Sequence, residues 1–313
     1  LCKYRAASPW EPNMAEQYNM KDQTPRTFAD DRILSITALR EDGVSENDML
    51  DLTPGEDDVS LCFTVPEGTW SLYICHLTRN RGPHRSYINM MDMRSCKILI
   101  DTVYEPHYKR YASDFGKTIA GFFSDEPEIG NGHLYETGKK IFELDDHAWS
   151  KEIHEQLVIK WGKHFTQYLP LLWNPAFDGR RKAMVRCDYM NAVTRTVERD
   201  FSMQIGGWCR DHDVEYIGHM IEDDNQHTRT GSSLGHFFRG LAGQDMAGID
   251  DIGGQVLPQG EAVGPGGRSG GERDGEFYHY VLGKRGGSAA AIDPLIKRRA
   301  MCVIFGDYGW SEG

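Results

Sequence analysis

Short apolar runs that break off in carboxylates recur along this chain. Residues 118–124 (TIAGFFS) lead into Asp125 and Glu126, residues 216–221 (YIGHMI) lead into Glu222, Asp223 and Asp224, and residues 246–252 carry Asp250 and Asp251. A milder instance closes the sequence, where residues 301–305 (MCVIF) are followed by Asp307, Tyr308 and Trp310. Runs this short and this apolar read as strands buried on both faces, the texture of a parallel sheet covered by helices. One more strand is expected over residues 70–76 (WSLYICH), which are aromatic and β-branched in part.

The segments between these runs have a helical period. Residues 96–111 repeat through Ile98, Ile100, Val103 and Tyr104, and residues 153–169 through Ile153, Leu157, Trp161, Phe165 and Leu169. Residues 181–212 form the longest such stretch, through Met184, Cys187, Met190, Val193, Val197, Phe201, Ile205 and Trp208. Residues 286–299 follow the same rule with Pro294 as a weak point. Trp161 and Trp208 sit in these stripes and are assigned to packing.

Apolar strands alternating with amphipathic helices define the α/β class. The expected architecture is a (β/α)8 TIM-type barrel, incomplete in this sequence, over residues 67–313. A small β-rich insertion or subdomain is expected over residues 1–66, with strand-like runs at 33–38 and 61–65 and a loop or hairpin connection at 50–60. Residues 253–275 are rich in Gly and hold Pro258 and Pro265; they read as a long mobile connection or as a lid over the site. The chain runs from Leu1 to Gly313 and reads as a fragment of a longer protein, with the C-terminal part of the barrel truncated.

Parallel strands all point one way, so their C-terminal ends share one rim. Acid clusters distant in sequence would meet there. Crowded carboxylates repel, which favours a proton on one and leaves another ionised. Glycoside hydrolysis needs that division of labour, an acid for the leaving oxygen and a base or nucleophile opposite it. A single acid after a strand more often caps the next helix. Asp125 fits a cap, with Pro127 in the first helical turn, and Asp223 and Asp224 fit a cap or a solvated loop. The repetition of the pattern favours the shared site. Tyr87, Tyr308 and Trp310 offer faces for the C–H side of a pyranose ring. His84, Arg85, His219 and His227 are candidates for hydroxyl binding.

Composition narrows the partners. The net charge is −12, which disfavours nucleic acid and anionic membrane, since both reward clustered Lys and Arg. No apolar run approaches the roughly 20 residues of a membrane-spanning helix. The cysteines number seven, an odd count with no CxxC pair, and read as mostly buried thiols, not as a disulfide frame or a zinc site. Residues 231–235 match the GxSxG pattern of an esterase elbow, but no hydrophobic run precedes Ser233. His154 and Glu155 lack a second His one turn on, where Val158 stands. The Gly-rich stretch 266–271 has no strand before it, which argues against a phosphate loop.

Three runs taken together, 121–128 (GFFSDEPE), 218–222 (GHMIE) and 248–255 (GIDDIGGQ), resemble the α-L-rhamnosidases of glycoside hydrolase family 106 and related bacterial glycoside hydrolases. The resemblance covers about residues 70–313. It implies a barrel within a longer chain with β-sandwich modules, action on plant polysaccharide or glycan side chains with inversion, a periplasmic or secreted bacterial enzyme, and a calcium ion near the site. By position, Glu222 resembles the general base that activates water, and Glu126 a sugar-contacting or supporting carboxylate. The family pattern implies a glutamate general acid where this chain has Val303. Valine donates no proton, so either Asp307 or Glu312 takes that role, or catalysis is impaired, or the alignment is displaced.

The reading that results is a glycosidase in which Glu222 acts with a second carboxylate, Glu126 first and Glu312 second. Asp125, His219, Asp223, Asp250, Asp251, Gln255, Tyr308, Trp310 and Tyr87 are the expected sugar contacts, and no residue is assigned as a metal ligand. The alternative is a non-catalytic carbohydrate-binding protein on a degenerate barrel. An esterase using Ser233 is a third reading.

Overall fold

The computed structural model describes residues 2–5, 32–41, 48–53, 63–77, 88–129, 147–173, 179–220, 233–252, 263–265, 272–274, 280–292 and 299–305. In chain order the strands are β1 Cys2–Arg5, β2 Arg32–Arg40, β3 Met49–Asp51, β4 Trp70–Leu77, β5 Gly121–Ser124, β6 Glu215–Gly218, β7 Met246–Ile252, β8 Val263–Pro265, β9 Glu272–Asp274 and β10 Arg299–Phe305. The helices are α1 Met93–Leu99, α2 Glu105–Tyr111, α3 Lys151–Trp161, α4 Arg180–Val197, α5 Met203–Asp211, α6 Phe237–Gly240 and α7 Leu282–Ile292. Two compact units result, Leu1–Tyr87 with Lys139–Ala192, and Ile88–Gly138 with Val193–Gly313.

The first unit holds an antiparallel sheet in the order β1-β4-β2-β3. Ile36, Ala38, Trp70, Leu72 and Ile74 form its core, with Ile33, Leu50, Leu52, Phe63 and Val65 packed around them. The run 70–76 is a strand, as its residues predict, but it pairs antiparallel with β1 and β2. Seven of the eight β4 residues are buried. A strand covered on both faces has the same apolar texture in either kind of sheet, so only its partners reveal the direction. The 3-10 segment Phe165–Leu172 packs on β2, β3 and β4. The helix expected over 153–169 breaks at Gly162, whose φ of 85° is readily reached only by glycine.

The second unit is built on a parallel sheet in the order β10-β7-β6-β5. Among the described residues this sheet has four strands, so they do not close a barrel. The α/β class is present; the described residues show no eight-stranded closure, and β4, expected in the barrel, belongs to the antiparallel sheet. Helical structure runs from α1 through a π-helical segment, Ile100–Tyr104, into α2, close to the expected 96–111. The stretch 181–212 is helical almost throughout, as α4, a π-helical segment Glu198–Ser202, and α5. The π segment holds Asp200, fully buried and paired with Arg199. Tyr104, Tyr108, Phe115, Phe122, Trp208 and His212 make a ring cluster, Tyr104 and Phe122 lying 4.4 Å apart at their centroids. Burial pushes the Tyr104 hydroxyl far above its ordinary pKa.

Helix α5 packs on β6, and α7 packs on β7 and β10. Helix α7 covers Leu282–Ile292; residues 293–298 of the expected helix, with Pro294, lie outside the described residues. The Gly-rich stretch 253–275 contains a short antiparallel pair, β8 with β9, where a loop or lid was expected. The rest of that stretch lies outside the described residues.

Candidate functional site

Strands β5 and β6 pair in parallel from Gly121 opposite Glu215 to Ser124 opposite Gly218. They therefore end level. Asp125 and His219 are the residues just past those ends, and the His219 N–H still donates to the Ser124 carbonyl at 3.4 Å. The level ending depends on glycine. A Cβ on Gly218 would stand 2.3 Å from the Ser124 carbonyl oxygen, and one on Gly121 equally close to that of Glu215. Strands approach this closely only where a side chain is missing.

His219 is 2% exposed, whereas the Asp125 side chain is 76% exposed. The imidazole Nε2 faces Asp125 Oδ1 at 3.2 Å, and Nδ1 lies 3.0 Å from the Met220 carbonyl oxygen. A carbonyl only accepts, so Nδ1 is the nitrogen that carries a proton and donates. The Phe123 ring meets the His219 ring edge-on at 5.6 Å. Glu126 completes the group: one ligand atom each from Asp125, Glu126 and His219 falls within 4.8 Å of the others. Glu126 adopts φ 46°, a left-handed backbone that costs a residue with a side chain. Residues 125–129 form no helix, so Asp125 is not the cap that Pro127 had suggested.

Asp250 and Asp251 lie within β7, not beyond it. Gly218 of β6 pairs with Ala247, and β7 continues with Asp250 opposite Val303 and Asp251 opposite Ile304 of β10. Asp250 is buried and three residues past the last β6 pairing. The position at which the family pattern implies a glutamate, Val303, is thus the direct backbone neighbour of a carboxylate-bearing position. Of the other expected site residues, Glu222, Asp223, Asp224, Gln255, Asp307, Tyr308, Trp310, Glu312, Tyr87, His84, Arg85 and His227 lie outside the described residues.

Two positioning residues were not legible as such in the sequence. Gln244 is fully buried, and its amide nitrogen, in the orientation that satisfies both ends, donates to the carbonyls of Gly218 and Met246 at 3.0 Å each. It ties the end of β6 to the start of β7. Ser233, the central residue of the GxSxG match, is fully buried; its Oγ donates to the Pro127 carbonyl at 3.3 Å, and its own carbonyl accepts from Ile129 N–H at 2.8 Å. That corrects the esterase reading. The serine anchors the 125–129 segment, and a hydroxyl so enclosed is not presented to an ester.

No family model and no curated protein matches the chain. Among solved structures it is similar to a rhamnosidase from Novosphingobium sp. PP1Y, with 16% identity and a TM-score of 0.45. The match covers 70% of this chain and 20% of the rhamnosidase. This chain thus spans about a fifth of that protein's length.

Proposed function

We propose that this rim binds a glycoside and hydrolyses it with paired carboxylates. The observation that carries the proposal is the meeting of Asp125, Glu126 and His219 at the level ends of β5 and β6. The repeated acidic strand tips and the resemblance of three sequence runs to rhamnosidases support it. Glu222 stands three residues past His219 in sequence and is the proposed general base, drawing a proton from water as it attacks the anomeric carbon. Glu126 is the first choice for the second carboxylate and Glu312 the second; the acid of the pair protonates the departing oxygen. The two carboxyl groups of an inverting pair stand roughly 6.5–9.5 Å apart, to leave room for the water. Asp125, His219 and Asp250 are proposed to bind sugar hydroxyls.

The calcium ion that the resemblance implies is a poor fit to the Asp125–Glu126–His219 group. Calcium takes six to eight oxygen ligands, and one donor of this set of three is an imidazole nitrogen. No step above depends on it.

The test is turnover of aryl glycosides, α-L-rhamnoside among them, by the longest natural form of the protein and its Glu222→Gln variant. Loss of turnover in the variant by a hundredfold or more, about what general acid–base catalysis contributes, is expected. Absence of turnover on every glycoside, or equal rates in both proteins, would remove the proposal. Val303 beside Asp250 favours one second reading, a carbohydrate-binding protein without catalysis. Calorimetric binding of an oligosaccharide with no release of reducing sugar would favour it over hydrolysis.

A further inference from the structure

We propose that Asp125, Glu126 and His219 hold a divalent transition ion of the zinc class. The proposal starts from the imidazole. Its Nδ1 donates to the Met220 carbonyl, so in the neutral ring Nε2 carries the lone pair, and Nε2 is the nitrogen aimed at Asp125 Oδ1 from 3.2 Å. A lone pair facing a carboxylate oxygen is repulsive. A cation bound by both would remove that repulsion. A backbone carbonyl on one ring nitrogen, with the other turned to ligand oxygens, is the usual outer support of a metal-bound histidine.

The rest of the group fits the cation. Three donors from two strand tips lie within 4.8 Å of one another, so a closure of roughly 0.5–1 Å by the exposed Asp125 side chain would bring all three within the bond lengths of about 2.0–2.2 Å of a single ion. One nitrogen and two carboxylates match zinc and its neighbours, with a coordination position open to solvent on the exposed Asp125 side. Burial of His219 to 2% exposure holds the nitrogen ligand in place before any ion arrives. The group also stands apart from the free cysteines of the described residues, so no thiolate enters the set.

This inference rests on the same rim: with the ion bound, sugar hydroxyls meet the ion in place of Asp125 and His219, and Glu312 in place of Glu126 is the second carboxylate. Metal affinity is read without any reference to glycoside turnover, so the two proposals fail separately. Zn2+ alone is titrated into metal-stripped wild-type protein, an Asp125→Asn variant and a Glu126→Gln variant, in competition with a coloured chelator. Ca2+ is titrated in parallel, and Co2+ is added for its visible spectrum. Asp125 is exposed, and both substitutions keep side-chain size, so the variants are expected to keep the wild-type melting temperature without metal. The expected result is one Zn2+ site, weakened more than tenfold in each variant, with no comparable site for Ca2+. The bound cobalt should show ligand-field bands without a thiolate charge-transfer band. Three results would overturn the proposal: no Zn2+ site in the wild type, equal affinity in wild type and variants, or a thiolate band. Any of these would leave the contact between His219 and Asp125 without a bound ion.

Discussion

The Nε2 atom of His219 lies 3.2 Å from Oδ1 of Asp125, each residue standing one place past the end of its strand. The contact joins a buried ring to an exposed carboxylate, and the exposed partner decides how much it stabilises the fold. Water competes for Asp125, so the contact contributes little. Asp125→Asn is expected to lower stability by less than about 1 kcal/mol in urea unfolding. His219→Ala should cost about 2–4 kcal/mol, since it opens a cavity and removes a buried hydrogen bond. A larger loss for Asp125→Asn than for His219→Ala would reverse the ranking.

Neighbouring glycines in α5 should respond to alanine with opposite sign. A Cβ on Gly206 would stand 2.0 Å from the Gly243 carbonyl oxygen, a backbone atom that cannot swing aside. Gly206→Ala is therefore expected to destabilise by about 1–3 kcal/mol or more. A Cβ on Gly207 meets nothing within 4 Å. There alanine gains helix propensity, and stability should rise by about 0.5–1 kcal/mol. Thermal melts of the two variants side by side are the measurement. A similar loss in both would contradict the packing described for this helix.

Asp92 links stability to pH at the start of α1. Its Oδ1 accepts from the backbone N–H groups of Arg94 at 2.9 Å and Ser95 at 3.4 Å, and its carboxylate pairs with the Arg94 guanidinium. Partial burial pushes the carboxyl up, but the Arg94 side chain and the two backbone donors outweigh it and hold the pKa below the ordinary 3.8. A carboxylate lowered on folding stabilises the protein above its unfolded pKa, and that part is lost as pH falls through the folded value. Asp92→Ala should cost about 1 kcal/mol at neutral pH. Asp92→Asn keeps a cap without the charge, so its stability should approach that of the wild type as pH falls from 6 towards 3. A gap between them that stays constant over that range would refute the linkage.

Thiol chemistry should separate the cysteines by burial. Cys75, Cys96 and Cys209 are buried and Cys187 is exposed. Burial, with the negative charges of Asp200 and Asp92 nearby, pushes the Cys96 thiol up to about 12. Burial and Asp245 raise Cys209 to about 12 as well, against the opposing charge of Arg210. Thiolate is the reacting form, so both are expected to resist alkylation at pH 8 in the folded protein. Peptide mapping after brief iodoacetamide treatment should find Cys187 modified well before these three. Equal modification of Cys96 and Cys187 would show that α1 opens readily.

The helices were the most legible part of the chain. Their period of apolar residues is local, and 181–212 proved helical almost end to end because every turn of it carries a core residue. The strands at 216–218, 246–252 and 301–305 were also visible as apolar runs. Three of the residues expected at the rim, Asp125 and Glu126 from their place after an apolar run and His219 from within one, do lie together. Gln244 and Ser233 could not be read in this way, because a buried amide or hydroxyl looks like any loop residue until its carbonyl partners are seen.

The sequence by itself determined which segments bury themselves and where each apolar run gives way to acids, since both follow from the order of side chains along a few turns or a few pleats. Tertiary structure alone decided strand direction. Trp70–Leu77 and Gly121–Ser124 look alike as apolar runs, yet one is antiparallel to its neighbours and the other parallel. Direction is a property of the partner strand and of the path the chain takes to reach it, and paired residues as far apart in the sequence as Gly121 and Glu215 carry no local record of either. The same reason governs His219 and Asp125: their contact exists because β5 and β6 end level, a register that backbone pairing and two glycines impose.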